Sequence, residues 1–132
     1  MRFLSESLYV AGGAALGANA RYWLGYWFVG RTHANFPWHT LLINVSGSLA
    51  LGAFVALALV HGWSHNWRLF FAVGLCGGFT TFSAYSAEMV RLLEERQWTS
   101  AAGYILLSNV LCISACFAGA HLARILWPHS FS

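Results

Sequence analysis

With 132 residues, 58% of them hydrophobic and only 8% charged, this chain has too few charges to clothe a water-soluble domain, which ordinarily carries about a quarter. All seven basic residues are Arg, Lys and Asp are absent, and the net charge of +3 is strewn along the chain without a basic patch, which excludes a nucleic-acid surface. A lipid bilayer is the solvent that such a composition implies.

Four apolar stretches follow one another: residues 8–29, 38–60, 68–93 and 101–126. Each exceeds the ~20 residues that a helix needs to cross a hydrocarbon core. The first opens on "MRFLSESLYVAGGAALGANA", which has the early Arg, apolar run and Ala18-Asn19-Ala20 triplet of a signal peptide. Glu6 and the aromatic continuation "RYWLGYWF" argue against removal, so the first span is kept. It carries Arg21, a costly charge at membrane depth and so functional or structural by default.

The second stretch contains Asn44, whose amide supplies two donors to a passing anion. The third holds "GLCGGFTTFSAYS" at 74–86, crowded with Gly, Thr and Ser where a membrane helix normally carries Leu. Gly77-Gly78 followed by Thr80-Thr81 is a poor continuous helix, because Gly costs about 1 kcal/mol against Ala and Thr is β-branched. Backbone unwound there frees carbonyls and amides that must find partners in protein, water or ions. In small transport proteins such a break points to an ion or substrate site. An unbroken helix whose small residues pack closely against a neighbour is the alternative.

Phe82 and Tyr85 stand three apart past the break and share a helix face. Ring edges are electropositive, so rings presented edge-on would stabilise a small anion without trapping it. Core packing is the plainer use of such a pair. Glu88, further along, is another membrane-embedded charge and invites a proton-coupled reading. The fourth stretch brings Tyr104, Ser108, Asn109, Cys112 and Cys116. With Cys76 the thiols number three, which argues against a disulfide framework. Cys112 and Cys116, one turn apart, would suit a metal; buried thiols are more often small hydrophobes.

The connections are short, so neighbouring helices are antiparallel. Trp23, Trp27, Trp38, Trp63, Trp67, Trp98 and Trp127 lie near the ends of the stretches, as an interfacial aromatic belt requires. Four crossings put Arg2, Arg68 and Arg124 on one side, with Arg31, Arg91, Arg96 and Arg21 towards the other. So small a bias sets no orientation; dual insertion is expected, with two oppositely inserted copies pairing about an axis in the membrane plane. Gly13 with Gly17, Ser48 with Gly52, and Ala115 with Gly119 offer close-packing faces within or between subunits.

Three segments carry a resemblance. "GGAALGANARYWLG" (12–25), "HTLLINVSGSLALG" (39–52) and "GLCGGFTTFSAYSAE" (74–88) resemble the signature stretches of the Fluc (CrcB-type) fluoride channels, in order and correctly spaced. The resemblance implies an all-α membrane fold: a single domain of four transmembrane helices, the third broken at mid-membrane, in an antiparallel dual-topology homodimer. It implies two passive pores exporting toxic fluoride across a bacterial inner membrane, and a central structural sodium ion held by the carbonyls of Gly77 and Thr80. Phe82, Tyr85, Asn44, Thr81, Ser83, Tyr104 and Ser108 fall on the anion path, Arg21 on its vestibule, and Glu88 on a locally paired acid. Two departures stand out. Tyr85 takes the place of a second Phe, and Cys112 that of a hydroxyl residue.

A small proton-coupled multidrug exporter shares the size and dual topology, but needs a carboxylate in the shared chamber, usually on the first helix, where this chain has Arg21. A scaffolding subunit would leave the break and Asn44 without purpose. No nucleophile, base and acid combine into an enzyme site, and His61 with His65 sit in a polar connection as solvated side chains.

Overall fold

The computed structural model describes residues 1–28 and 36–128. Val29, the expected end of the first stretch, and Arg31, counted in the charge balance, lie outside the described residues. Every regular element among the described residues is helical. Helix α1 is Arg2–Phe28 and α2 is Trp38–Val60. Helix α3 spans residues 65–79, α4 is Phe82–Glu94 and α5 is Trp98–Leu126. Three stretches are long and apolar enough to cross a membrane: Trp38–Val60, His65–Glu94 and Trp98–Leu126. Helix α1 has the length, 27 residues, but Arg2, Ser5, Glu6, Asn19 and Arg21 dilute its apolar content.

The third stretch is divided as its composition suggested, though not at the glycine pair. Gly77–Phe79 is helical, and the chain is extended at Thr80 (φ −76°, ψ 160°) and Thr81 (φ −151°, ψ 112°). Thr81 then restarts the helix as its N-cap, its side chain accepting from the Ala84 N–H. Ahead of the break, Leu69–Cys76 is wound as a π-helix, a rare form that often marks functional sites.

The glycines serve the packing around this break. A Cβ on Gly78 would come within 2.7 Å of the Ala14 carbonyl oxygen, and one on Gly74 within 2.7 Å of that of Val10. Gly13 and Gly17 meet the backbone of α3 just as closely from the other side, at the N–H groups of Leu75 and Phe79. So α1 lies backbone to backbone on α3, a contact that side chains would forbid. Helices α2 and α5 join likewise. Gly52 faces the backbone of Cys116 and Ala120, while Gly119 faces that of Leu49 and Ala53. The glycines Gly13, Gly17, Gly52 and Gly119 thus serve packing within one subunit, one of the two uses expected of these faces.

Two helices stop by the same device. After α2, Gly62 adopts φ +57° and the Trp63 N–H closes on Ala58. After α4, Arg96 adopts φ 57°, with Gln97 N–H donating to Leu92 and Arg96 N–H to Leu93. Both are Schellman-type endings, and glycine is the usual residue at the left-handed position. The core where α2, α4 and α5 meet comprises Leu41, Leu92, Ala101 and Tyr104, packed with Phe36 and Met89. The outside is unusually apolar: Leu59, Leu106, Ile113, Phe117 and Ile125 are exposed, as are Trp23, Trp27, Trp38, Trp67, Trp98 and Trp127. Lipid accepts such a surface; water does not.

Candidate anion pathway at the helix break

Asn44 holds the break open. From α2 its Oδ1 accepts the Thr81 N–H at 2.8 Å, and its Nδ2 donates to the Thr81 carbonyl at 3.1 Å. In a continuous helix the Thr81 N–H would close on the Gly77 carbonyl; here it is diverted, leaving that oxygen without its usual helical donor. The Thr80 N–H still reaches the Cys76 carbonyl at 3.0 Å, and the Thr80 hydroxyl donates to the same oxygen at 2.9 Å. One amide side chain therefore supplies both partners that an extended residue needs. One of its two N–H donors is thereby spent, so a single donor remains where the sequence offered two.

From α1, Arg21 reaches the same place. Its Nη1 donates to the Thr80 carbonyl at 3.4 Å. Gly47 makes room opposite, since a Cβ there would run into the Thr80 methyl group and the Phe79 ring. Two helices and a missing side chain thus fix two extended residues.

An open cavity of about 550 Å³ lies beside the break. Its walls bring together Asn44, Gly77, Thr80, Thr81, Phe82, Tyr85 and Ser108 of the residues picked out from the sequence. The Phe82 and Tyr85 rings are 5.4 Å apart at 34°, and Phe82 is 77% exposed. A large aromatic ring so placed in an apolar chain faces a neighbour, lipid or a passing solute. Opposite, the Ser108 hydroxyl is buried without a hydrogen-bond partner among the described residues. An orphaned hydroxyl costs free energy unless a ligand or water uses it. Cys112 and Asn109 line this cavity too, with Ser48, Cys76 and Gly47. The last three carry no sequence signal distinguishing them from ordinary packing residues.

Two of the expected pathway residues lie elsewhere. The Ser83 hydroxyl is 3.2 Å from that of Thr81 on an exposed face and is not in the cavity wall. Tyr104 is fully buried, its ring 4.9 Å from that of Tyr85, and its hydroxyl donates to Glu88 Oε2 at 2.7 Å. Glu88 Oε1 accepts from the Thr40 hydroxyl at 2.6 Å and lies 3.3 Å from His39 Nε2. Glu88 is thus the hub of a polar cluster joining α2, α4 and α5. Thr40 precedes Asn44 by four residues and shares its helix face, a spacing that was visible in the sequence without showing its purpose.

A second cavity, of about 370 Å³, adjoins the break from the α1 side and is lined by Arg21, Tyr22, Tyr26, His39, Thr40 and Thr81. Thr81 belongs to both walls. The chain therefore places a fixed cation and a histidine on one side of the break, and rings, an amide and an orphaned hydroxyl on the other. That sequence of groups suits a small anion that must shed water and move on: Arg21 supplies attraction on one side, while the larger cavity offers donors and aromatic rings but no permanent countercharge that would trap the ion.

Residues 8–120 match the family described as CrcB-like protein, Camphor Resistance (CrcB). The chain is 43% identical over 122 residues to the "Fluoride-specific ion channel FluC" of Rhodospirillum rubrum, covering 90% of this chain and 94% of that protein. Its identity is 45% to the protein of the same name from Nitrobacter winogradskyi, over 90% of this chain and 95% of that one. With the Koribacter versatilis protein, also named fluoride-specific ion channel FluC, it shares 38% over 92% of this chain and 97% of the other.

Proposed function

The chain belongs to the CrcB-like family, and from that premise we infer that fluoride crosses the membrane along the cavity at the α3–α4 break. It is a fluoride-specific ion channel, a transport protein rather than an enzyme, and a multi-pass protein of the bacterial inner membrane. The observation that carries the pathway is the cavity wall itself, where the orphaned Ser108 hydroxyl lies with Asn44, Phe82 and Tyr85. Arg21 draws the ion to the second cavity by its field, and Thr81, common to both walls, marks the passage between them. Transport is passive and relieves fluoride toxicity by export.

Function requires a second copy in the inverted orientation. Helix α1 is the fourth crossing, and the near-equal distribution of Arg between the two sides leaves insertion undecided. Phe82, exposed on one chain, gains its surroundings when a second chain closes the cavity, so the dimer carries two antiparallel pores. A sodium ion at the dimer centre is compatible with the break. The Gly77 oxygen has lost its helical donor, and the Thr80 oxygen has a lone pair beyond that taken by Arg21. The carbonyls of Gly77 and Thr80 from both copies would hold the ion, whose role is to neutralise backbone oxygens converging from two broken helices; hard cations take such ligands.

The test is ion release from liposomes containing the purified protein. Under a potassium–valinomycin potential, fluoride should leave and chloride should remain inside. Equal release of both ions, or retention of fluoride, overturns the assignment.

A further inference from the structure

His39 stands between the two polar assemblies described above. Its side chain, 42% exposed, lines the Arg21 cavity, while its Nε2 lies 3.3 Å from the oxygen of Glu88 that also accepts from Thr40. The Glu88 side chain is only 16% exposed. Two hydroxyl donors, Thr40 and Tyr104, hold its carboxylate in place. They are neutral, so they orient the carboxylate without cancelling its charge. That charge sits beside a cavity whose other asset is the Arg21 cation, and it opposes the approach of any anion. Among the described residues, the titratable or charged groups facing His39 are Glu88 from α4, Tyr104 from α5 through Glu88, and Arg21, Tyr22 and Tyr26 from α1. A histidine is the side chain that gains and loses charge between about pH 5 and 8.

We propose that His39 is a positioning residue for fluoride access. As imidazolium it holds Glu88 and cancels that carboxylate's field at the mouth of the Arg21 cavity; as neutral imidazole it leaves the field exposed. The proposal rests on the fluoride-channel reading and adds a direction to it. Protonated His39 favours the anion, so conduction rises as pH falls and declines as pH rises. The effect is electrostatic at a half-exposed site, so added inert salt shrinks it.

The experiment measures fluoride release from proteoliposomes at about pH 6 and about pH 8, subtracting protein-free vesicles at each pH to remove leakage of the undissociated acid. Wild-type release should be several-fold faster at the lower pH. His39→Gln, which keeps a donor for Glu88 but has no titrating charge, should lose the slope. His39→Arg, permanently charged, should also be flat, and faster than His39→Gln at the higher pH. Size-exclusion profiles identical to wild type establish that both variants fold. A flat wild-type profile, or a slope that survives in His39→Gln, overturns the role of His39 while leaving fluoride conduction intact. Absence of fluoride release at either pH would instead remove the channel reading, and this proposal with it.

Discussion

Ser108 and Asn44 occupy one cavity wall but should respond oppositely to substitution. The Ser108 hydroxyl has no partner, so Ser108→Ala removes an unsatisfied group and should leave the melting temperature in detergent unchanged or slightly higher. If the hydroxyl serves fluoride, release from liposomes should nevertheless fall. Asn44→Ala deletes two hydrogen bonds to Thr81 and orphans a buried backbone N–H. A loss of about 2 to 4 kcal/mol follows, read as a clearly lowered melting temperature along with lost flux. That Asn44 has a polar task was legible in the sequence because an amide in an apolar run is costly without a purpose, although the task read there was donation to an anion. Its attachment to Thr81, 37 positions away, was not, since nothing local encodes that contact. The Glu88 cluster was hidden for the same reason: Thr40, Glu88 and Tyr104 come from three helices, and His39 looked like any residue at a helix start.

The broken helix shows how one residue type serves two purposes. Gly77-Gly78 and Thr80-Thr81 together suggested the break, because glycine and β-branched residues weaken helices, and of these four the threonines are the extended ones. Gly78 is needed instead for contact with Ala14. Gly78→Val should therefore push α1 off α3, lowering the melting temperature and yielding less dimer by size exclusion. The π-helical winding of Leu69–Cys76 left no trace in the sequence, because an extra residue per turn changes no composition in a uniformly apolar run. The ending of α4 was equally unreadable, since a sequence rule expects glycine where Arg96 stands at φ 57°. Arg96→Gly relieves that left-handed strain and should stabilise the protein by about 1 kcal/mol, a rise of a few degrees in detergent melting with flux unaltered.

At the scale of the whole molecule, composition and hydropathy announced a membrane protein, because a core of so few residues cannot hide so much apolar surface. Three of the crossings stand out by length and apolarity; α1 is blurred by Arg21, Asn19 and its glycines, of which Arg21, Gly13 and Gly17 bind it to the rest of the chain. Assembly is not inscribed in any single helix. If insertion is undirected, Glu95→Cys in sealed inverted vesicles should react with a membrane-impermeant maleimide in about half of the molecules; complete reaction or none would exclude two orientations. Along the proposed pathway, fluoride passes the ring of Phe82 beside the break. The most direct test is fluoride release by Phe82→Ile in liposomes, with the oligomeric state checked by cross-linking. Release should be abolished while the dimer persists; release at the wild-type rate would place the pathway elsewhere.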